Sequence, residues 1–328
     1  MEYINSQFDR NFKSIDVLHD AITQNNLLRI LRNDYLSKGE AFLAFRNGEA
    51  TIYIKGRQIV SIKDTDCEPS IVARILPIAR SQYPERDKKL KEDEWINFIG
   101  SKFSFSDLLT EIVDFAEKDA DPESEQVSAL YKYSAFSSSG RWILLDIEAY
   151  FKKSRKEFKG GEHPDNDRID AVLYDTEDRQ LLFVEVKRNC DKRLRNGEIQ
   201  SQLKRYKTVT SREKDRIENS YNKVIGLYNN LCDSDRLKPI DPSKDILLLL
   251  VITEFSREDY KPNKHPEELK DAGIKYISGL EKELAKNDYP VESLGSFSSA
   301  SQKTFTNKWK KTAERHRMKP SKRYEIPN

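Results

Sequence analysis

Glu185 and Lys187 flank Val186 at the end of the apolar run LLFV, within the stretch RIDAVLYDTEDRQLLFVEVK at 168–187. On a strand, residues two apart share one face, so this carboxylate and this ammonium act on the same side. A second carboxylate comes from the preceding run. Strands over 168–174 and 181–187 that fold back symmetrically about DTEDRQ set Asp170 directly opposite Glu185. Facing residues lie roughly 4.5–5.5 Å apart at Cβ, and like charges at that spacing destabilise a sheet. A divalent cation offsets the repulsion. Mg²⁺, or Mn²⁺ in its place, suits such a pair, because magnesium takes one or two carboxylates and leaves its other positions to water and phosphate oxygens. The metal would polarise a phosphodiester and lower the pKa of a bound water, with Lys187 orienting the nucleophile or stabilising developing charge. The chemistry these residues predict is phosphodiester hydrolysis. The competing reading is a solvated hairpin face of alternating charges, which is common on antiparallel strands. Against it, the flanking runs LLFV and AVL are too apolar for a freely solvated hairpin.

The segment that follows adds two further signals. Gln202 and Tyr206 are four residues apart in a helical pattern, share a face, and can point back toward the strand ends. Residues 187–207 hold eight Lys or Arg against Asp191 and Glu198. Arg188, Lys192, Arg193, Arg195, Lys204 and Arg205 are the candidate phosphate contacts of this local patch. Over the whole chain Lys plus Arg (57) nearly balances Asp plus Glu (55), so no global basic field marks a nucleic-acid partner.

Asp170, Glu185-Val186-Lys187 and the Gln-x-x-x-Tyr of Gln202 and Tyr206 together resemble the PD-(D/E)xK nuclease superfamily, in its RecB-like and Cas4-like branch. The resemblance covers about residues 141–255. It implies a restriction-endonuclease-like α/β core, ordered helix, mixed sheet, helix, strand, and an Mg²⁺-dependent nuclease acting on DNA in preference to RNA. It further implies Asp170, Glu185 and the Val186 carbonyl as metal ligands, Lys187 as the catalytic lysine, and Gln202 with Tyr206 as residues positioning site and substrate. A glutamate on the helix before the motif would be Glu148, with Glu157 as second choice. Bacterial or phage defence and DNA repair are the settings such a likeness suggests. The sequence departs from the pattern at the literal Pro164-Asp165, which lies in the polar loop GGEHPDND rather than in the apolar strand, so Asp170 is the favoured aspartate. The iron–sulfur cysteines of the Cas4-like members are also missing. The alternative reading is a catalytically inactive nuclease-like module that binds nucleic acid or serves assembly in a multi-protein complex.

The elements that must position these residues are read from periodicity and turn residues. Ile143, Ile147, Tyr150 and Phe151 recur at helical spacing and predict a helix over 141–158, ended by Gly160-Gly161. After the two strands, a helical region is expected over 197–232, broken within TVTSREKD. DILLLLVITEF at 245–255 has the continuous apolar character of a strand covered on both faces. Upstream, 14–36 reads as one or two short helices broken near Asn25-Asn26. AFLAFRNGEATIYIKGRQIVSI at 41–62 reads as a three-stranded meander turning at Asn47-Gly48 and Lys55-Gly56. Helical patterns return at 70–82 and 106–118, either side of the charged, solvated run ERDKKLKEDE.

Linker-like composition at KDADPESE and SSSG places a domain boundary near 120–140. The expected organisation is an N-terminal α+β domain over 1–130 for target recognition or docking of a protein partner, a nuclease domain over 131–300, and a basic tail over 301–328. From SQKTF onward, nine Lys or Arg interleave with Phe305, Trp309 and Tyr324, a pattern that suits either nucleic-acid stacking or a docked terminal helix. His163 beside Asp165 and Asp167 reads as a loop residue. Cys67, Cys190 and Cys232 are too few and too scattered for a disulfide framework or a zinc site, and a reducing cytoplasm is the expected compartment. ILLLLVI at 246–252 is far too short to span a bilayer, so no membrane partner is expected.

Overall fold

The computed structural model describes residues 10–65 except 11 and 14, 69–71, 122–136, 140–151, 167–188, 191–253 except 195, and 291–293, with the isolated positions 110, 113, 114 and 116. The chain divides into two compact units, one formed by 1–185 with 205–247 and the other by 186–204 with 248–328. The class is α/β, and the boundary expected near 130 falls inside the first unit.

The first unit opens with α1 (Ile15–Gln24), α2 (Asn26–Ile30) and a π-helical turn (Leu31–Leu36), interrupted at Asn25 as the sequence predicts. A meander follows: β1 (Ala41–Arg46), β2 (Glu49–Ile54) and β3 (Arg57–Lys63), all antiparallel, with β4 (Pro69–Ile71) added beside β3. Both connecting turns have two residues at positive φ, Asn47 with Gly48 and Lys55 with Gly56. That is the twist-matched hairpin turn that Asn-Gly and X-Gly pairs favour. Gly56 is further constrained because a Cβ there would lie 2.5 Å from Ser124 Cβ on α3 (Pro122–Ser128). The expected helix over 70–82 begins instead as β4 at Pro69–Ile71, and the remainder lies outside the described residues. Of the 106–118 helix, the described positions Thr110, Val113, Asp114 and Ala116 are helical.

A second antiparallel meander consists of β5 (Trp142–Phe151), β6 (Asp167–Asp175) and β7 (Gln180–Arg188), the last crossing into the second unit after Glu185. Here a sequence expectation is overturned: Trp142–Phe151 is a strand and not a helix. Trp142 through Ile147 are all buried, so both faces of β5 are covered. The β5–β6 register slips by one residue between Leu144 and Asp146. Two-sided burial with a bulge abolishes strict alternation. The apolar residues then fall by accident at spacings that mimic a helix.

Helices α4 (Glu198–Arg212) and α5 (Lys214–Leu231) meet at Glu213, inside the predicted break. The apolar face of α5 is built from Ile217, Tyr221, Val224, Tyr228 and Leu231, all buried. It meets both meanders of the first unit. Tyr228 packs edge-on against Phe45 of β1, and its hydroxyl donates to the Leu43 carbonyl. Tyr221 packs edge-on against Phe183 of β7. Fully burying side chains of this kind contributes roughly 1.5–3 kcal/mol each. The N-terminal meander is therefore part of the same core as the predicted nuclease hairpin, which is why no boundary near 130 appears.

In the second unit, β8 (Leu247–Thr253) runs where the sequence predicts, with Leu248–Ile252 buried, and pairs in parallel with β9 (Val291–Ser293). Parallel and antiparallel pairings thus both occur in the chain. The basic tail at 301–328 lies outside the described residues.

Candidate metal and nucleic-acid site

The turn DTEDRQ closes β6 on β7 in the register expected from its symmetry, Ala171 facing Val184 through to Asp175 facing Gln180. Asp170 and Glu185 are the next residues on their two strands beyond the Ala171–Val184 pair. Arg141 fixes the far end of the hairpin, meeting the carboxylates of Asp175, Glu177 and Asp178 at 2.5, 2.5 and 2.6 Å. Leu181–Val184 are buried, so the run LLFV is core on both faces.

A third acidic residue joins this row. After the slip in β5, Ile147 faces Ala171 and Ala149 faces Ile169. Glu148, between them, stands opposite Asp170. Glu148 and Asp170 therefore share one rung of the β5–β6 register, and Glu185 follows Val184, the partner of Ala171, on β7. Glu148 has φ +50°, in the left-handed region that non-glycine residues seldom adopt. Strain of that kind costs about 1–3 kcal/mol and concentrates at functional sites. Its carboxylate is 3.3 Å from the Arg168 guanidinium, a pair with both members substantially solvated. The sequence singled out Glu148 but placed it on a helix; it belongs to strand β5.

Glu185 is only 1% exposed and Lys187 only 1%. A solvated charged face is thus excluded. The Tyr206 hydroxyl reaches Glu185 Oε2 at 3.2 Å and the Arg168 carbonyl oxygen at 2.6 Å. Helix α4 therefore points Tyr206 back at the strand ends, as its spacing predicts.

In the second unit, Lys187 Nζ donates to the carbonyl of Val186 at 2.8 Å. Gln202 is half-buried on α4. Among the basic candidates, Lys192 and Lys204 are exposed, and Arg188, Arg193 and Arg205 are partly exposed. Arg193 is committed to Asp191 at 2.6 Å. Arg195, Glu157, His163 and Asp165 lie outside the described residues.

Asp170 and Glu185 supply two hard oxygen donors, a set that fits Mg²⁺ or Mn²⁺ and not a thiophilic metal. Among the described residues, no three His, Cys, Asp or Glu side chains gather into a metal-holding group. Glu148 accordingly shares the row in backbone register while its carboxylate is held by Arg168.

The largest feature that sequence reading missed is a buried ionic cage two residues before Glu148. Asp146, 1% exposed, receives Arg10 at 2.7 Å and Arg46 at 2.6 Å, each through two nitrogens. It also accepts from the Tyr221 hydroxyl at 3.1 Å and the Ile147 amide at 2.9 Å. Burial works against the Arg10 charge, but Asp146 and Tyr221 outweigh it and hold the guanidinium above its ordinary range. For Tyr221, burial and then Asp146 push the phenol up, so it remains a donor. The one sequence clue was an aspartate inside the apolar run WILLDIEAYF. Its partners lie 100 and 136 positions away.

No described helix is long and apolar enough to cross a membrane. Comparison with known proteins gives no matching family model, no matching curated protein and no matching solved structure.

Proposed function

We propose that the protein is a metal-dependent nuclease of the PD-(D/E)xK kind, cleaving phosphodiester bonds of nucleic acid with DNA as its preferred substrate. The observation that supports the reading is a buried Glu185 bonded by Tyr206, next beyond the Ala171–Val184 pair as Asp170 is on the facing strand. A pair of like charges in a sheet is a standing cost, which a bound cation turns into a gain. Asp170 and Glu185 would hold Mg²⁺ or Mn²⁺, with the Val186 carbonyl as a further donor. When bound, that ion supplies Lewis acidity and a water of lowered pKa.

The chain's own residues do the remaining work. Tyr206 fixes the rotamer of Glu185 through its hydroxyl. Lys187, two residues beyond Glu185 on β7, orients the attacking water and steadies charge developing on the phosphate. Gln202 positions the substrate beside Tyr206. Arg188, Lys192, Arg193, Arg195, Lys204 and Arg205 attract the phosphate backbone.

The test is cleavage of single- and double-stranded DNA and of RNA by the full chain, with Mg²⁺ or Mn²⁺ and with EDTA. Metal-dependent cutting that disappears in Asp170→Ala and in Lys187→Ala is expected. Variants that cut as well as the parent overturn the assignment.

A second reading, the inactive nuclease-like binding or assembly module, is favoured by one observation. Lys187 Nζ is bonded to the Val186 carbonyl, the same oxygen the metal would use. Binding of DNA in Ca²⁺ without cutting in Mg²⁺ or Mn²⁺ is the outcome that supports it.

A further inference from the structure

We propose that Arg10 and Arg46, acting through Asp146, are positioning residues that set which residue of β5 stands beside the metal site; this rests on the nuclease reading above. The basis is the register of β5 on β6. Over Trp142–Leu144 the strands pair in one register, and from Asp146 onward in another, with Leu145 left over. Had the first register continued, Ile147 would stand opposite Asp170. The slip brings Glu148 there instead, because a one-residue shift exchanges the two faces of a strand. An apolar neighbour is thereby replaced by a carboxylate at the end of the acidic row.

A bulge carries an unpaired residue and a disrupted ladder, so something must favour it over the regular pairing. Asp146 is the residue at which the new register begins, and its carboxylate is fixed by the two arginine forks, Tyr221 and its own neighbour's amide. Returning to the first register would remove Asp146 from these donors and leave two guanidinium groups without it in the protein interior. The Ile147 amide also donates to the Asp146 side chain at 2.9 Å, at the first pair after the slip. Glu148 then takes the left-handed conformation, φ +50°, before Ala149 resumes pairing. Arg10 belongs to the N-terminal segment and Arg46 ends β1. The N-terminal meander thus acts on the site by holding a bulge.

The experiment measures Mn²⁺ binding to the full chain by calorimetry, and hydrogen exchange of the β5 and β6 amides, for the parent, Arg46→Gln, Arg46→Lys, Glu148→Gln and the double variant Arg46→Gln/Glu148→Gln. Arg46 is the point of attack because, being partly exposed, its loss is less disruptive than that of buried Asp146 or Arg10. Arg46→Gln is expected to weaken Mn²⁺ binding roughly 10–100-fold, the range for residues that orient metal ligands. Arg46→Lys should recover part of the loss. In the Glu148→Gln background, Arg46→Gln should add nothing further, and in the single variant exchange should quicken at 144–149 before any global unfolding.

A merely structural role predicts a lower melting temperature with unchanged Mn²⁺ affinity, and that result overturns the inference. So does a loss that simply adds to that of Glu148→Gln. In either case, a parent chain that binds Mn²⁺ and cuts DNA leaves the nuclease reading standing. A parent chain that neither binds Mn²⁺ nor cuts overturns both.

Discussion

The Tyr206 hydroxyl lies 2.6 Å from the carbonyl oxygen of Arg168 and 3.2 Å from Oε2 of Glu185, so one phenol ties α4 to both strands of the acidic hairpin. With a single proton to give, it donates chiefly to the nearer carbonyl and shares with the carboxylate. Tyr206→Phe keeps the ring packing and removes only this link. We expect a loss of about 1–3 kcal/mol in urea-induced unfolding, the cost of leaving buried acceptors unpaired. Metal-dependent cleavage should fall with it. Unchanged stability would show that the two acceptors find other donors.

Asp170→Asn should separate stability from activity. Without metal it relieves the repulsion across β6 and β7, worth about 0.2–1 kcal/mol for a facing pair. In EDTA the melting temperature should therefore rise by up to about 4 °C. Saturating Mg²⁺ should reverse the order, because a ligand at about 100 times its Kd adds about 2.7 kcal/mol to a protein that binds it. Equal melting behaviour of the two proteins with and without Mg²⁺ would argue that the carboxylates neither repel nor bind.

The Asp146 cage should be costly to break. Asp146→Ala leaves the buried Arg10 and the partly exposed Arg46 without their carboxylate, and removing one partner of a buried ion pair costs about 3–5 kcal/mol. Arg46→Lys, keeping the charge and losing the fork, should cost clearly less. Denaturant midpoints at fixed slope decide this, and a loss under about 1 kcal/mol for Asp146→Ala would mean that the cage relaxes onto other partners.

Acid should selectively weaken the short helical turn at Lys192–Leu194. Burial raises the Asp191 carboxyl, but bonds from the Arg193 side chain and amide outweigh that effect and hold it below its ordinary range. The folded state therefore binds this proton less readily than the unfolded state. Its stabilising contribution is complete above the ordinary value of about 3.9 and is lost as the pH falls from there through the lower folded value. Asp191→Ala, which removes the side-chain acceptor of the Arg193 amide, should be less stable than the parent by about 1 kcal/mol near neutrality. That difference should shrink once the pH drops below about 4. A difference independent of pH would assign the effect to packing.

Several elements could be read from the chain because their signals are local. Asn47-Gly48 and Lys55-Gly56 require positive φ at adjacent positions, and the structure places all four there. The symmetric turn DTEDRQ was enough to set the β6–β7 register from Ala171–Val184 to Asp175–Gln180. The i, i+4 spacing put Gln202 and Tyr206 on one face of a helix, and the structure shows the Tyr206 hydroxyl at Arg168 and Glu185. The failure at Trp142–Phe151 is also physical. A strand buried on both faces and interrupted by a bulge has no period of two, and four apolar residues then satisfy a helical template.

By itself, then, the sequence determined the hairpins and the paired helices, since turn chemistry and side-chain periodicity act over a few residues. Only the tertiary structure decided that Glu148 completes the row, that the N-terminal meander shares a core with α5, and that Asp146 sits between Arg10 and Arg46. Those contacts join positions about a hundred residues apart, and the burial that makes an ion pair there worth forming exists only once both sheets have packed.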